Sequence, residues 1–173
     1  TLPITVSTYN IHKGMSPLNR KVQIGDMAAA LDSLKSDILF LQEVQGQNLP
    51  REAKLPGFPA KPQHDIIADY LDYHPSYGKN AVFPHKHHGN AIISRLPILS
   101  ERNLNITVNR LEKRGVLHCE IRPEGWETPI VCLCAHLNLL ERDRVKQYVA
   151  IFEYVTAYIP PDAPQILAGD FND

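Results

Sequence analysis

The chain has 173 residues, 43% hydrophobic and 21% charged, and 18 basic against 19 acidic side chains give a net charge of −1. That length suffices for one core-bearing domain, 1–173, and the composition is that of an ordinary globular protein, not a disordered or fibrous one. Near-neutral charge withholds the bulk basic character of a nucleic-acid coat, though not a local basic patch, and no apolar run, Ile130–Ala135 included, is long enough to span a bilayer.

In chain order, Ile4 to Tyr9 alternates and is rich in β-branched residues, which predicts a strand. Asn10 to Arg20, with Gly14 and Pro17, reads as a loop. From Val22 to Lys35, Met27, Leu31 and Leu34 recur at helical spacing. Asp37 to Leu41 is a continuous apolar run behind one acid, the pattern of a strand buried on both faces, and Gln42-Glu43-Val44 follows it. Residues 46–63 hold Pro50, Pro56, Pro59 and Pro62 and predict a surface excursion. His64 to Tyr73 suits a short helix. Tyr77–Phe83 and Asn90–Ser94 suit a strand pair joined by a polar turn.

Further strands are expected near 99–106, 115–122 and 129–135, with breaks at Pro97 and Pro123. Glu141 to Ile159 is the clearest helix, with Val145, Val149, Phe152 and Val155 as its apolar stripe and Pro160-Pro161 as its stop. Gln165 to Ala168 is the last strand. This order predicts an α/β (α+β) layered sandwich in which most strands pair antiparallel, flanked by helices. Cys119, Cys132 and Cys134 are too few and too scattered for a disulfide framework; no disulfide is expected and all three read as buried apolar residues. With no transmembrane segment and no signal peptide in view, a cytoplasmic location is the expectation.

Polar residues stand just past several apolar runs: Asn10, Glu43, His136, Asp170 and Asn172. Taken singly, each has a plain reading as a turn former, a solvated strand-end charge or a satisfied core histidine. Together they place carboxylates, carboxamides and an imidazole where a rigid strand aims a loop, which is where sites gather in open α/β sheets. Carboxylate and amide oxygens are hard ligands that suit Mg²⁺ or Mn²⁺. His85, His87 and His88 are too close together for a tetrahedral cage and read as an exposed loop.

Five segments carry a resemblance: "TYNIHKG" (8–14), "LQEV" (41–44), "HGNAIISRLPI" (88–98), "AHLNLLERDRVKQ" (135–147) and "GDFN" (169–172). In order and spacing the chain resembles the endonuclease/exonuclease/phosphatase superfamily, the Mg²⁺-dependent phosphoesterases of the pancreatic deoxyribonuclease fold. It looks most like a bacterial subgroup whose members mostly have no established substrate. The resemblance implies a metal-assisted in-line attack of water on a phosphodiester. Glu43 would be the principal metal carboxylate, with Asn10 beside the metal and the phosphate. His136 would contact the phosphate and could act as general acid. Asp170 would orient the attacking water, Asn172 would hold a phosphate oxygen and Asp170, and Asn90 would help shape the phosphate pocket.

The implied cofactor is Mg²⁺, with Mn²⁺ as substitute. The implied partner is a phosphodiester, either nucleic acid or a lipid or small-molecule phosphoester, since family members cut DNA, RNA, inositol phosphates and sphingomyelin. A late aspartate and a closing Ser-Asp-His motif of the family have no match here. The expectation is that the chain holds the N-terminal two thirds of such a domain, with a sheet face in want of its partner. A non-catalytic phosphate-binding module on the same fold is the alternative. Lys13, Arg20, Lys79, Lys86 and Arg95 read as surface charges that could also line one rim, and Trp126 is expected to pack a hairpin end.

Overall fold

Two four-stranded sheets lie face to face in the computed structural model, which describes residues 2–15 and 23–173. Residues 16–22, with the expected Pro17 loop, Arg20 and the Val22 helix start, lie outside the described residues. The first sheet has β1 (Val6–Asn10), β2 (Ile38–Asn48), β3 (His74–Phe83) and β4 (Lys86–Ser94) in the order β1-β2-β4-β3. The second has β5 (Ile98–Asn105), β6 (Gly115–Ile121), β7 (Ile130–His136) and β8 (Gln165–Asp170) in sequence order. Among the described residues only β1–β2 and β7–β8 pair parallel; the other neighbours are antiparallel, as the sequence predicts.

Alternation along β2 explains its continuous apolar run. Ile38 and Phe40 face the second sheet, where they meet Leu117, Cys119, Ile121, Cys132 and Cys134. Leu39 and Leu41 face outward onto α1 (Ile24–Ser33) and α3 (Gln63–Leu71), through Ile24, Ala28, Leu31 and Ile67. Both faces are covered, so neither needs polar residues. On the far side, α4 (Glu141–Tyr158) packs Ile151 and Tyr154 onto Val131, Leu133 and Ala135. The layers therefore run helix, sheet, sheet, helix. The short α2 (Leu49–Lys54) lies in the proline-rich excursion, capped by the Asn48 side chain, which accepts from Arg51 N–H at 3.2 Å. No helix among the described residues is long and apolar enough to cross a membrane.

Several expectations change. β2 does not end at Leu41; it runs on to Asn48, because a bulge absorbs the polar residues without ending the ladder. His87 and His88 are half-buried residues of β4, not an exposed loop. The expected apolar stripe of α4 mostly faces away from the sheet: Val145, Val149 and Phe152 are 55%, 51% and 71% exposed, and Asp143, Gln147, Ile151 and Tyr154 are buried instead. Helical periodicity gives a stripe but not its direction, and here buried carbonyls and amides claim the polar face. The inner faces of the two sheets cover each other along the seam, while the edge strands β1 and β8 keep exposed apolar residues, Val6, Tyr9 and Leu167 among them. Trp126 does pack at the β6–β7 hairpin end, and the three cysteines are free and buried.

Phe40 is fully buried between the sheets. Phe40→Ala should lower unfolding free energy by about 3–5 kcal/mol, whereas Leu111→Ala should change it by less than about 0.5 kcal/mol. Leu111 is 95% exposed. Urea titration of the two variants checks both.

Candidate active site

Each parallel strand pair delivers its C-terminal end to the same edge of the sandwich. Asn10 is in register with Gln42 on β1–β2, and His136 with Asp170 on β7–β8. The mouth of parallel strands is where an α/β scaffold presents loops. The Asn10 amide joins the two sheets, donating to Glu43 Oε2 at 2.6 Å and to Asp170 Oδ2 at 3.0 Å. Its own oxygen accepts from the His12 N–H at 2.9 Å. Asp170 Oδ1 accepts from the Asn172 N–H at 3.1 Å, and Asn172 Nδ2 donates to the Leu137 carbonyl at 2.6 Å. His136 Nε2 lies 3.7 Å from Asp170 Oδ2.

Glu43 reaches this point through a distortion of its strand. Leu41 pairs with Ala91 and Val44 with Gly89, so Gln42 and Glu43 together oppose Asn90. That is a β-bulge, with Glu43 in the left-handed region at φ +51°. Among the described residues, the non-glycine positions with positive φ are His12, Lys13, Lys35, Glu43, Asp72 and Asn172. Lys35 and Asp72 follow helices, where a left-handed residue is common. The other four surround the Asn10 amide. Side-chain-bearing residues adopt this conformation at an energetic cost and gather at functional sites. Gly169 serves the same end by close approach: a β-carbon there would lie 1.9 Å from the Ala135 carbonyl oxygen, so only glycine lets β8 deliver Asp170 beside His136.

Electrostatics divide the site. Burial alone would raise the Asp170 carboxyl. The Asn10 amide, the Asn172 N–H, His136 and Arg114 outweigh it and hold the group below its ordinary value, so it stays charged. His136 goes the other way. Burial, helped by Arg114, pulls it down to about 4 against the opposing pull of Asp170 and Glu43. His88 is drawn down to about 4 by burial and Lys13. Both imidazoles are therefore neutral at pH 7, and the 3.7 Å approach of His136 to Asp170 is neither a hydrogen bond nor an ion pair there. Lys13 Nζ stands 3.9 Å from Glu43 Oε1 and His12 Nδ1 3.5 Å from Glu43 Oε2.

The structure thus brings Asn10, Glu43, His136, Asp170 and Asn172 together. Asn90 is different. It is fully buried between the sheets, and its amide donates to the carbonyls of Gly115 at 3.0 Å and Cys134 at 3.1 Å. Arg114 is the residue the sequence reading missed. It stands immediately before β6, close enough to Glu43, Asp170 and His136 to act on their charge. A search of strand C-terminal ends passes over it, because β6 runs antiparallel to β7 and brings its beginning to that edge. Of the other basic residues, Arg95 pairs with Asp37 at 2.8 Å.

The sequence profile of the Endonuclease/Exonuclease/phosphatase family matches residues 7–173. The chain belongs to this family. It is 38% identical over 168 residues to YbhP of Escherichia coli strain K12, an alignment that covers 97% of the chain and 66% of YbhP. The family's structure from Beutenbergia cavernae superposes with a TM-score of 0.80 at 23% identity, over 98% of this chain and 47% of that one. ANGEL2, a 2′,3′-cyclic phosphatase solved with adenosine-2′,3′-vanadate, superposes with a TM-score of 0.70 at 18% identity, over 98% of this chain and 54% of that one. The chain thus spans about two thirds of the one relative and about half of the two structures.

The unfolded chain binds more protons than the folded one between pH 6.5 and about 4, because His88 and His136 are both held below their ordinary value. Stability from this source is intact above pH 6.5 and falls as pH drops through that window. His88→Gln should flatten the fall. Urea titrations at pH 7, 6, 5 and 4 measure it.

Proposed function

We propose that the site binds and hydrolyses a phosphodiester with the help of a divalent cation, Mg²⁺ or Mn²⁺. The observation that carries this reading is the Asn10 amide, which holds Glu43 and Asp170 within one hydrogen bond of the same nitrogen. Two carboxylates so close would repel a phosphate unless cationic charge offset them.

The donor set suits a hard cation. Among the described residues no cluster of three or more His, Cys, Asp and Glu forms a cage. Mg²⁺ does not require one: it is bound through one or two carboxylates, substrate phosphate and water. Glu43 would hold it, with Asn10 beside it. When bound, such a cation supplies charge neutralisation for the phosphoryl and leaving oxygens.

The chain's own groups then divide the work. Arg114, next to Glu43 and Asp170, would donate to a non-bridging oxygen. His136, neutral at pH 7, would act as a hydrogen-bond donor to phosphate; an anion beside it would raise its proton affinity and ready it to protonate the leaving oxygen. Asp170, charged and fixed by Asn10 and Asn172, would orient the attacking water. Asn172 would position Asp170 through its backbone N–H. Asn90, tied to the Gly115 and Cys134 carbonyls, would hold the strands behind Arg114 and His136.

The test is hydrolysis of bis-p-nitrophenyl phosphate, plasmid DNA and a 2′,3′-cyclic nucleotide by the purified protein, with and without Mg²⁺. Glu43→Ala and Asp170→Ala should each lower metal-dependent turnover by roughly 100-fold or more while leaving the thermal midpoint near the parent value. Mg²⁺ binding without turnover on any substrate would favour the non-catalytic binding module. Neither binding nor turnover would sink the reading.

A further inference from the structure

The polar face that α4 turns inward has no part in the reaction outlined above, yet it is among the best-sealed polar surfaces of the molecule. Gln147 and Asn138 are fully buried and Asp143 is 5% exposed. Gln147 Oε1 accepts from the Asn138 N–H at 2.9 Å, while Gln147 Nε2 donates to Asn138 Oδ1 at 2.9 Å and to the Ile106 carbonyl at 3.2 Å. Asp143 Oδ2 accepts from Asn138 Nδ2 at 3.2 Å and from Asn109 Nδ2 at 3.1 Å. Asn138 is thus gripped through its backbone and both ends of its side chain by one helix.

The neighbouring residue is where the site's loops meet. Leu137, directly after His136, uses its carbonyl to accept from both Arg114 Nε at 3.2 Å and Asn172 Nδ2 at 2.6 Å. Its N–H donates to the Asp170 carbonyl at 2.9 Å. A second arm runs through Asn109, whose oxygen accepts from the Glu112 N–H at 3.0 Å. Glu112 Oε1 then accepts from Arg114 at 3.3 Å and from the Leu139 N–H at 3.1 Å. Both arms start on α4 and both end on Arg114.

We infer that Gln147 and Asp143 are positioning residues that act through Asn138 and Asn109 to set the Leu137 carbonyl, and with it the placement of Arg114, His136 and Asn172. The role of the positioned groups rests on the phosphoester reading; their placement does not. The physical reason is that a planar guanidinium recognises phosphate only in a fixed orientation. Arg114 has one ordered acceptor at Nε and one at its terminal nitrogen, and each depends on a loop held by α4. A buried network whose members are all partnered is rigid, so losing one member loosens the rest. This also explains why α4 gives up apolar burial for Asp143 and Gln147.

The test uses the ¹⁵N-labelled protein without ligand. The Arg114 Nε–H signal, assigned with Arg114→Lys, is followed for solvent exchange in Gln147→Met, Asn138→Ser, Asp143→Asn and the same-helix control Ile151→Val. Inorganic phosphate is then titrated into each in the presence of Mg²⁺. Loss of one such bond is expected to speed Nε–H exchange, and to weaken phosphate binding, by roughly tenfold in the three network variants. Ile151→Val should leave both unchanged even where its thermal midpoint falls as far. An Nε–H signal equally protected in any folded network variant would overturn the inference, as would equal loosening in the control. A protected signal in the parent protein with no phosphate binding would remove the proposed function and leave the positioning role standing.

Discussion

The apolar seam between the two sheets is the constraint on which the rest depends. Ile38, Phe40 and Ile92 from one sheet interlock with Leu117, Cys119, Ile121, Cys132 and Cys134 from the other. Interiors are close-packed, so this contact fixes both the spacing and the register of the sheets. Asn90 adds a directional restraint within the seam, bonding from β4 to the carbonyls of β6 and β7. At the open end, the Asn10 amide can reach Glu43 on one sheet and Asp170 on the other only because that register holds. A slip of one residue moves a strand by about 3.3 Å, more than a hydrogen bond tolerates.

Charge at the mouth of the seam follows from burial. Two carboxylates face Lys13 and Arg114 across a half-buried space, and two imidazoles among them are pushed into their neutral form. Desolvation penalises an imidazolium, and the nearby cations penalise it again, so the acids do not win back the proton. The result is a pocket with fixed negative and positive groups and neutral donors between them.

The helix α4 shows how such a site changes ordinary packing. A crossover helix between parallel strands normally buries an apolar stripe. Here Ile151 and Tyr154 do so in the second half, while the first half turns Asp143 and Gln147 inward; Val145, Val149 and Phe152 stay exposed. The loops leaving β7 and entering β6 have irregular backbones with buried polar groups, and those groups need partners. The helix supplies them at the expense of its amphipathic pattern.

Much was legible in the sequence. Apolar runs with β-branched residues marked the strands, and the proline pair after the last helix marked its end. The polar residues Asn10, Glu43, His136, Asp170 and Asn172 stood out because each interrupts or follows such a run. These are local signals, and local backbone preferences determine them. Other features belong to the tertiary structure alone. The bulge that re-aims Glu43 depends on its pairing opposite Asn90, and the part of Arg114 on an antiparallel neighbour entering from the opposite direction. The face α4 buries depends on which loops lie beneath it. Periodicity along one chain records that a face exists, but burial and register are set by partners distant in sequence, and these decide which face is turned inward.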